Sequence, residues 1–313
     1  MPKLTIGTVG SNSLLAGEPD YRQSLARQIA GSDIDHLFIA DHVSFHTGVG
    51  MDGMLNAATL AAMIPRLNIF IGVYLLALRH PVTVARALSS LSLSAPGRVV
   101  LGVGIGGEDR HEMEICGVNP ATRGKQTNHS LQALRELLSG KPTTYDCSFF
   151  HFEDALIKPA PSPQIPFIIG GRSNAAIERA AKYGDGWLGV WCSANRFARV
   201  LAEISDIAEN SRTEIPTWEH GLQIWTGIDS DRTTARSLVA KGMENLYRMP
   251  FERFEKYSPY GTPEKIAEFL IPYIDSGART LNIMPCASSE EASIEAVSEI
   301  SELLHREYPD LNP

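Results

Sequence analysis

Short apolar runs alternate with longer segments of helical periodicity along the whole sequence. Eight of these runs have the length and composition of buried strands, and each one precedes a predicted helix. The predicted strands are 3–9, 36–40, 68–74, 98–103, 167–170, 186–191, 220–228 and 279–284. Strands that are apolar nearly throughout are typical of parallel sheets covered on both faces. Such alternation forms either an open doubly wound sheet or a barrel, and the count of eight predicts a (β/α)8 TIM barrel, an α/β fold.

The predicted helices have chemical signals at their ends. Proline opens the segments 19–30, 81–94 and 263–276, where its missing N–H has no helical partner to lose. The other predicted helices are 53–64, 121–139, 173–183, 195–208, 233–246 and 289–305. The Pro- and aromatic-rich stretch 141–166 predicts a surface hairpin inserted near the C-terminal mouth of the barrel. A length of 313 residues would suit two domains, but eight βα units use it up, so we predict one domain over 1–313.

Composition narrows the class of protein. Hydrophobic residues make up 43% of the chain, enough for a sizeable core, but no run approaches the roughly 18 apolar residues of a membrane span. The first residues lack the basic-then-apolar layout of a signal peptide, and the net charge of −8 argues against a nucleic-acid partner. Four cysteines without a CxxC pair predict free thiols. We therefore expect a cytoplasmic protein without membrane or nucleic-acid partners.

In a barrel of this kind, catalytic residues lie at the carboxyl ends of the strands. The second strand is followed by Asp41 and His42, and His46 comes four residues later. A carboxylate beside an imidazole can orient and polarise it, which makes His42 a candidate general acid or base with Asp41 as its partner. Two alternatives stay open at this point: an Asx turn beside a surface histidine, and a metal site formed by the three side chains.

Glycines gather at the ends of the third and fourth strands. The candidate residues there are Gly72, Val73, Tyr74, Gly104, Gly106, Gly107, Glu108 and Arg110. A planar ring can lie against backbone that carries no side chain, so this region is a candidate ring platform with charge at its edge. The spacing also matches a dinucleotide fingerprint, which we reject because the match begins inside a strand and a polar loop follows. Closure of the barrel is an equally good reason for a glycine in the third strand.

A second glycine pair follows the fifth strand. Gly170, Gly171, Arg172 and Ser173 lead directly into a predicted helix. Free N–H groups, the helix dipole and an arginine fork together favour an anion such as phosphate. The alternative is a tight turn with Ser173 as the N-cap of the helix. We favour phosphate binding, because it accounts for the arginine as well.

Tryptophans lie in the sixth and seventh strands. Trp187 is interpreted as core, whereas Trp191, at the very end of its strand, is the better candidate for a flat apolar wall of a pocket. The aromatic stretch 247–260 follows the next helix. It is a candidate loop for closing over a substrate.

With these residues placed, the chain resembles the bacterial-luciferase-like oxidoreductases. The segments that carry the resemblance are ADH at 40–42, RHPVTVARALSSLSLSAPGRVVLGVGIGGE at 79–108, and FIIGGRSNAAIERAAKYGDGW at 167–187. The resemblance implies a barrel with an insertion near its mouth, often a homodimer, that binds FMN or coenzyme F420. It also implies a non-proline cis peptide at Gly72–Val73 or Val73–Tyr74, under the ring of the cofactor.

The same resemblance implies roles for single residues. The phosphate of the cofactor matches Gly170, Gly171 and Arg172 or Ser173, and in the F420-using branch the histidine at His42 is catalytic. The sugar-phosphate dehydrogenases of that branch carry a glutamate directly after the GxG of strand four. Here Gly107 takes that place and Glu108 comes one residue later, which argues against a sugar phosphate as substrate.

We therefore hypothesise an oxidoreductase that exchanges hydride between F420 and a small organic substrate, with His42, Asp41 and Glu108 as catalytic residues. The alternative within the family is a monooxygenase that uses reduced FMN and oxygen. Outside it, the alternatives are a metal-dependent barrel hydrolase and a flavin-binding protein without catalysis. The protein would position the cofactor and exclude water, while the cofactor carries the redox chemistry.

Overall fold

A computed structural model describes residues 2–46, 48–106 and 109–313 of the protein. The strands agree with the predicted ones to within about two residues at each end, because buried strands carry a local apolar signal. In chain order they are β1 (Thr5–Val9), β2 (His36–Ile39), β3 (His42–Phe45), β4 (Val49–Met51), β5 (Asn68–Leu75), β6 (Val99–Gly104), β7 (Thr143–Asp146), β8 (His151–Ala155), β9 (Phe167–Gly170), β10 (Gly186–Val190), β11 (Gly221–Ile228), β12 (Tyr260–Gly261) and β13 (Thr280–Cys286).

The helices follow the predicted pattern as closely. They are α1 (Asn12–Ala16), α2 (Pro19–Ala30), α3 (Gly53–Met63), α4 (Pro81–Ser94), α5 (Arg110–Ile115), α6 (Arg123–Leu137), α7 (Asn174–Tyr183), α8 (Ala194–Ser211), α9 (Arg232–Tyr247), α10 (Pro263–Asp275) and α11 (Glu290–Glu307). A proline opens α2, α4 and α10, as the sequence predicts. The structure adds α1, α5 and the hairpin β3–β4, which are too short to show a period in the sequence.

The parallel strands, each followed by helix, have the (β/α)8 barrel fold that the alternation predicts. The predicted insertion at 141–166 contains the antiparallel pair β7–β8. Among the described residues, no helix is both long and apolar enough to cross a membrane. The four cysteines carry free thiols.

The chain divides into two compact units, Met1–Phe38 with Trp187–Pro313, and Ile39–Gly186. In the first unit, β1 pairs in parallel with β2 and β13, and β13 pairs with β11. In the second unit, β6 pairs in parallel with β5 and with β9. The register between β5 and β6 shifts between Ile71 and Tyr74, where the candidate ring platform lies.

A layer of polar side chains is buried in the first unit. Gly7 is the register partner of both His36 and Asn282, and a side chain at Gly7 would collide with the His36 ring. The imidazole therefore occupies the space beside Gly7, with its Nε2 2.7 Å from Asn282 Oδ1. Burial lowers the pKa of His36, which keeps this imidazole neutral.

His220 is a second buried histidine of this unit. Its Nδ1 accepts a hydrogen bond of 3.1 Å from the main-chain N–H of Trp187, so the ring ties the start of β11 to β10. Burial lowers the pKa of His220 to about 4. Trp187 itself is buried against Phe197, as its interpretation as a core residue requires.

We predict that His220 makes the protein less stable in acid. In the unfolded chain the imidazole has a pKa of about 6.5, so it binds a proton below that pH. In the folded protein the same imidazole binds a proton only when the pH falls to about 4. The contribution of neutral His220 to the free energy of unfolding is fully present above about pH 6.5, and on the order of 3 kcal/mol is lost as the pH drops toward 4. Urea unfolding at a series of pH values measures the slope.

The matched variant is His220→Asn, whose amide oxygen can accept the Trp187 N–H without titrating. We expect a shallower loss of stability in acid for this variant, with the remainder due to His36 and other groups. An unchanged slope would contradict the assignment.

Candidate active site

Asp41 lies two residues after the end of β2 and is 1% exposed. One carboxylate oxygen accepts the N–H of Gly53 and the other accepts the N–H of Leu75, both at 3.0 Å. The guanidinium of Arg79 binds both oxygens, through Nη2 at 2.8 Å and through Nη1. The carboxylate therefore joins the end of β2, the start of α3 and the end of β5, and its bonds are those of a structural anchor.

Arg79 extends this anchor. Its guanidinium stacks over the Tyr74 ring at 4.6 Å and lies 3.8 Å from the carboxylate of Asp52. Burial lowers the pKa of Arg79, but the charge and the hydrogen bonds of Asp41, with smaller effects of Tyr74 and Asp52, together outweigh burial and the net shift is upward. Tyr74 is buried, and burial raises the pKa of its phenol. The Tyr74 side chain thus packs on Arg79, and its predicted place in the ring platform stays a prediction.

His42, the next residue, has a different partner. Its Nδ1 lies 3.0 Å from Oε2 of Glu112, a carboxylate that is 2% exposed. The other oxygen of Glu112 accepts the N–H groups of Val43 at 2.6 Å and Ser44 at 3.0 Å. The expectation that Asp41 orients His42 is therefore wrong, because Arg79 holds the Asp41 carboxylate and Glu112 contacts the imidazole.

The hairpin β3–β4 is held by a second acid of the α5 segment. Asp109 caps α5 by accepting the N–H of His111 at 2.9 Å, and it also accepts the N–H of His46 at 2.7 Å. The hydrogen bond from the main chain of His46 lowers the pKa of Asp109. Arg110, the first residue of α5, is exposed. Gly107 and Glu108, both proposed as site residues, lie outside the described residues.

Val73 occupies the space that the glycines leave. The Gly72–Val73 peptide bond is cis, at one of the two positions that the family resemblance implies. A methyl group added at Gly170 would lie 2.9 Å from Val73 Cγ1, and one at Gly104 would lie 3.2 Å from Val73 Cβ. At Gly106, with φ +64°, the side chain of Met113 fills the corresponding space. These three glycines therefore make room for the side chains of Val73 and Met113, and the ring platform stays a prediction.

The start of α7, where the sequence predicts an anion site, combines a glycine turn with a serine cap. Gly171 has φ +127°, a conformation that glycine adopts without strain. Ser173 is the N-cap, and its hydroxyl oxygen accepts the N–H of Ala176 at 3.2 Å. Arg172 is exposed beside it. The alternative role of Ser173 as a cap is thus confirmed, and its O–H can still donate to a ligand.

Two further arginines were missed by the sequence analysis. Arg179 of α7 is 4% exposed, and it donates to Asn128 Oδ1 at 2.6 Å and to the carbonyl of Gly124 at 3.2 Å. Its Nη1, and Nε of Arg123 at the start of α6, are buried without a hydrogen-bond partner among the described residues. Burial lowers the pKa of Arg179. A buried cation with an unused donor suits an anionic ligand, but an arginine inside a helix gives no such signal in a sequence.

Trp191 lies in the other unit, in an aromatic cluster. Its ring packs 4.8 Å from that of Tyr247 and 4.6 Å from that of Phe254. The stretch 247–260 is folded into short 3-10 turns, with Phe251 fully buried. Arg236 binds both carboxylate oxygens of Glu255, at 2.7 and 2.9 Å, so the stretch is anchored to α9. The idea that it closes over a substrate stays a prediction.

The metal-site alternative gains no support. Within residues 2–46, 48–106 and 109–313, no group of three or more His, Cys, Asp or Glu side chains is arranged to hold a metal ion. Asp41, one of the three proposed ligands, has its carboxylate committed to Arg79 and two main-chain N–H groups.

The fold is that of a (β/α)8 barrel. The chain belongs to the luciferase-like monooxygenase family, whose model matches residues 4–263. An uncharacterized protein of Mycobacterium tuberculosis is 30% identical over 197 residues, which are 62% of this chain and 67% of that protein. The family predicted from the sequence is therefore confirmed.

Two further similarities concern proteins that use F420. An F420-dependent glucose-6-phosphate dehydrogenase of Microbacterium testaceum is 29% identical over 160 residues, 49% of this chain and 47% of that protein. This chain thus spans less than half the length of that relative. The structure of an F420-dependent secondary alcohol dehydrogenase, in complex with an F420-acetone adduct, superposes with a TM-score of 0.81 at 17% identity. It covers 96% of this chain and 99% of its own, and at this identity it shows the fold alone.

We predict that Asp41→Asn mainly lowers stability. The change leaves Arg79 without its buried counter-charge and replaces one acceptor by a donor, so we expect a loss of about 3–5 kcal/mol in the free energy of unfolding. Chemical denaturation measures it. The control is Asp52→Asn, which keeps the N-cap of α3 and removes only the longer contact to Arg79, and it should cost less than about 1 kcal/mol. Equal stability of Asp41→Asn and the natural protein would refute the anchor.

Proposed function

We propose that this protein is an oxidoreductase that transfers hydride between coenzyme F420 and a small organic substrate. The observation that carries the proposal is the imidazole of His42, whose side chain is 25% exposed and is held through Nδ1 by the buried carboxylate of Glu112. Such a pair can hold or release a proton at the remaining nitrogen, which hydride transfer to or from a C–O group requires. Asp41 keeps the end of β2, and with it His42, in place.

The groups available for the cofactor fit an anionic, flat molecule. The N-terminus of α7, with Gly170, Gly171 and Ser173, would hold its phosphate, and Arg172 would supply charge. The unused donors of Arg123 and Arg179 support an anion in the same unit. The ring would lie on Val73. When bound, F420 supplies a ring that takes up or gives off hydride, and the chain supplies the proton path and the binding groups.

F420 is preferred over FMN because of His42. A monooxygenase that uses reduced FMN and oxygen is the alternative, in keeping with the description of the family model. The F420-dependent relative supports the first choice. A sugar phosphate remains disfavoured as substrate, because Gly107 stands where that branch has its glutamate. The free thiols also support a reducing, cytoplasmic location as a proposal.

The proposal is tested with both cofactors and one variant. We expect fluorescence titration to show F420 binding at least about tenfold more tightly than FMN, and we expect F420 reduction with a member of a panel of primary and secondary alcohols. His42→Ala should keep the affinity for F420 and lose turnover by about 10²–10⁴-fold, because it removes the proton-transferring group.

The matched control is His111→Ala, which removes an exposed imidazole from α5 and should leave binding and turnover unchanged. Tight FMN binding without F420 binding would favour the monooxygenase. Binding of F420 with no turnover over the whole panel would favour a protein that binds the cofactor without catalysis. Full turnover by His42→Ala would remove His42 from the mechanism.

We also propose a homodimer, as the family resemblance implies. The α3 helix carries no charged residue, and it exposes Leu55, which is 70% accessible. Leu93 of α4 is exposed as well, at 64%. Uncharged helix surface with large apolar side chains is suited to burial against a second copy.

We predict that Leu55→Asp converts the dimer into a monomer. An aspartate in the first turn of a helix suits the helix dipole, so the fold should persist while the apolar contact is lost. Sedimentation equilibrium should give twice 34.2 kDa for the natural chain and 34.2 kDa for the variant. The control is Ile215→Asp, an exposed apolar residue of the other unit. A monomeric natural chain would contradict the proposal.

A further inference from the structure

Glu112 contacts three nitrogen atoms of the hairpin that carries His42. Its Oε1 accepts the N–H groups of Val43 and Ser44, and its Oε2 lies 3.0 Å from His42 Nδ1. An ionised carboxylate can only accept hydrogen bonds. The hydrogen of the third contact must then belong to the imidazole, so Nδ1 carries it.

The other ring nitrogen of His42, Nε2, is accessible to a substrate. No hydrogen bond of the described residues reaches His42 Nε2, and the side chain is 25% exposed. The ring packs on Phe45, with 4.3 Å between the centroids, which limits its rotation. When Nδ1 holds the hydrogen of a neutral imidazole, Nε2 has a lone pair and accepts a proton.

Two other described acids near His42 have different partners. Asp41 is bound by Arg79, and Asp109 accepts the N–H groups of His46 and His111. Glu112 is also the carboxylate that fixes the backbone on which His42 sits. One side chain thus sets the position of the imidazole and the identity of its protonated nitrogen.

We propose that Glu112 is a positioning residue that fixes His42 as the Nδ1–H tautomer, so that Nε2 takes the proton of a substrate hydroxyl. The reaction step rests on the proposed function: Nε2 would take the O–H proton of an alcohol, and F420, when bound, would take the hydride from its C–H bond, so that the alcohol becomes a carbonyl. The tautomer itself does not depend on that function, because Glu112 and His42 are in contact in the protein alone.

The test is NMR of the full-length protein labelled with ¹⁵N-histidine, with the His42 signals assigned by their loss in His42→Ala. At about pH 8, where an ordinary imidazole is neutral, we expect a protonated, pyrrole-type Nδ1 and a pyridine-type Nε2. In Glu112→Gln, the amide oxygen can still accept from Val43 and Ser44, while the amide nitrogen donates to Nδ1. The two ¹⁵N signals should then exchange their types.

The control variant is Asp109→Asn, which removes a charge from the same segment and keeps a good N-cap for α5. Its His42 signals should match those of the natural protein. A protonated Nε2 in the natural protein would overturn the proposal, as would a ring protonated on both nitrogens at this pH. An unchanged pattern in Glu112→Gln would overturn it too. If that variant fails to fold, the signals of the natural protein alone decide.

Activity measurements test the proposed function separately from the tautomer of His42. With F420 and an accepted alcohol, Glu112→Gln should keep its affinity for F420 and lose turnover by about 10²-fold or more, because Nε2 no longer accepts a proton. The expected ¹⁵N pattern in a protein that does not use F420 would leave the positioning role of Glu112 standing and remove the proposed function. The expected activity in a protein whose His42 is protonated on Nε2 would support the proposed function and remove the proposed role of Glu112.

Discussion

The buried carboxylate of Asp41 holds together the segments from which the candidate site is built. It binds the first N–H of α3, the last strand residue of β5 and the guanidinium of Arg79, which precedes α4. Each of these bonds links parts of the chain that are distant in sequence. Removing a carboxylate from water is costly, so such a residue persists only where all its acceptor positions are used. The position of His42 follows from this arrangement, because it is the next residue.

Two different carboxylates anchor the backbone and contact the imidazole, whereas the sequence predicts that Asp41 alone partners His42. Asp41 is saturated by a cation and two main-chain groups, which leaves it no capacity to polarise an imidazole. Glu112 contacts the imidazole of His42, and no lysine or arginine is among its described partners. Adjacent residues on an extended chain point to opposite faces, which is why Asp41 and His42 reach different partners. Adjacency in the sequence was therefore a poor guide to contact.

Features with a local cause were predictable. The apolar runs, the prolines at the first positions of α2 and α4, and the Ser173 cap each depend on a few neighbouring residues, and their bounds agree with the structure. The contact between Glu112 and His42 spans 70 residues, and α5 is too short to show a period. The glycines at 104, 106 and 170 lie at the strand ends, as predicted, and their role in cofactor binding stays a prediction. The space beside these three glycines is filled by Val73 and Met113, and a sequence does not show which neighbour fills a gap.

The described histidines differ in which ring nitrogens their surroundings leave accessible. Burial lowers the pKa of His36 and of His220, and both rings hold strands together in neutral form. His305 has an acid partner, because a hydrogen bond to Asp35 raises its pKa. Its Nε2 also lies 3.2 Å from the carbonyl oxygen of Leu4, and its Nδ1 lies 3.5 Å from the hydroxyl of Ser301. Both of its nitrogens are thus committed to structure. His42 instead combines one carboxylate contact with a partly exposed ring, and a proton can move through an imidazole only when one of its nitrogens remains accessible.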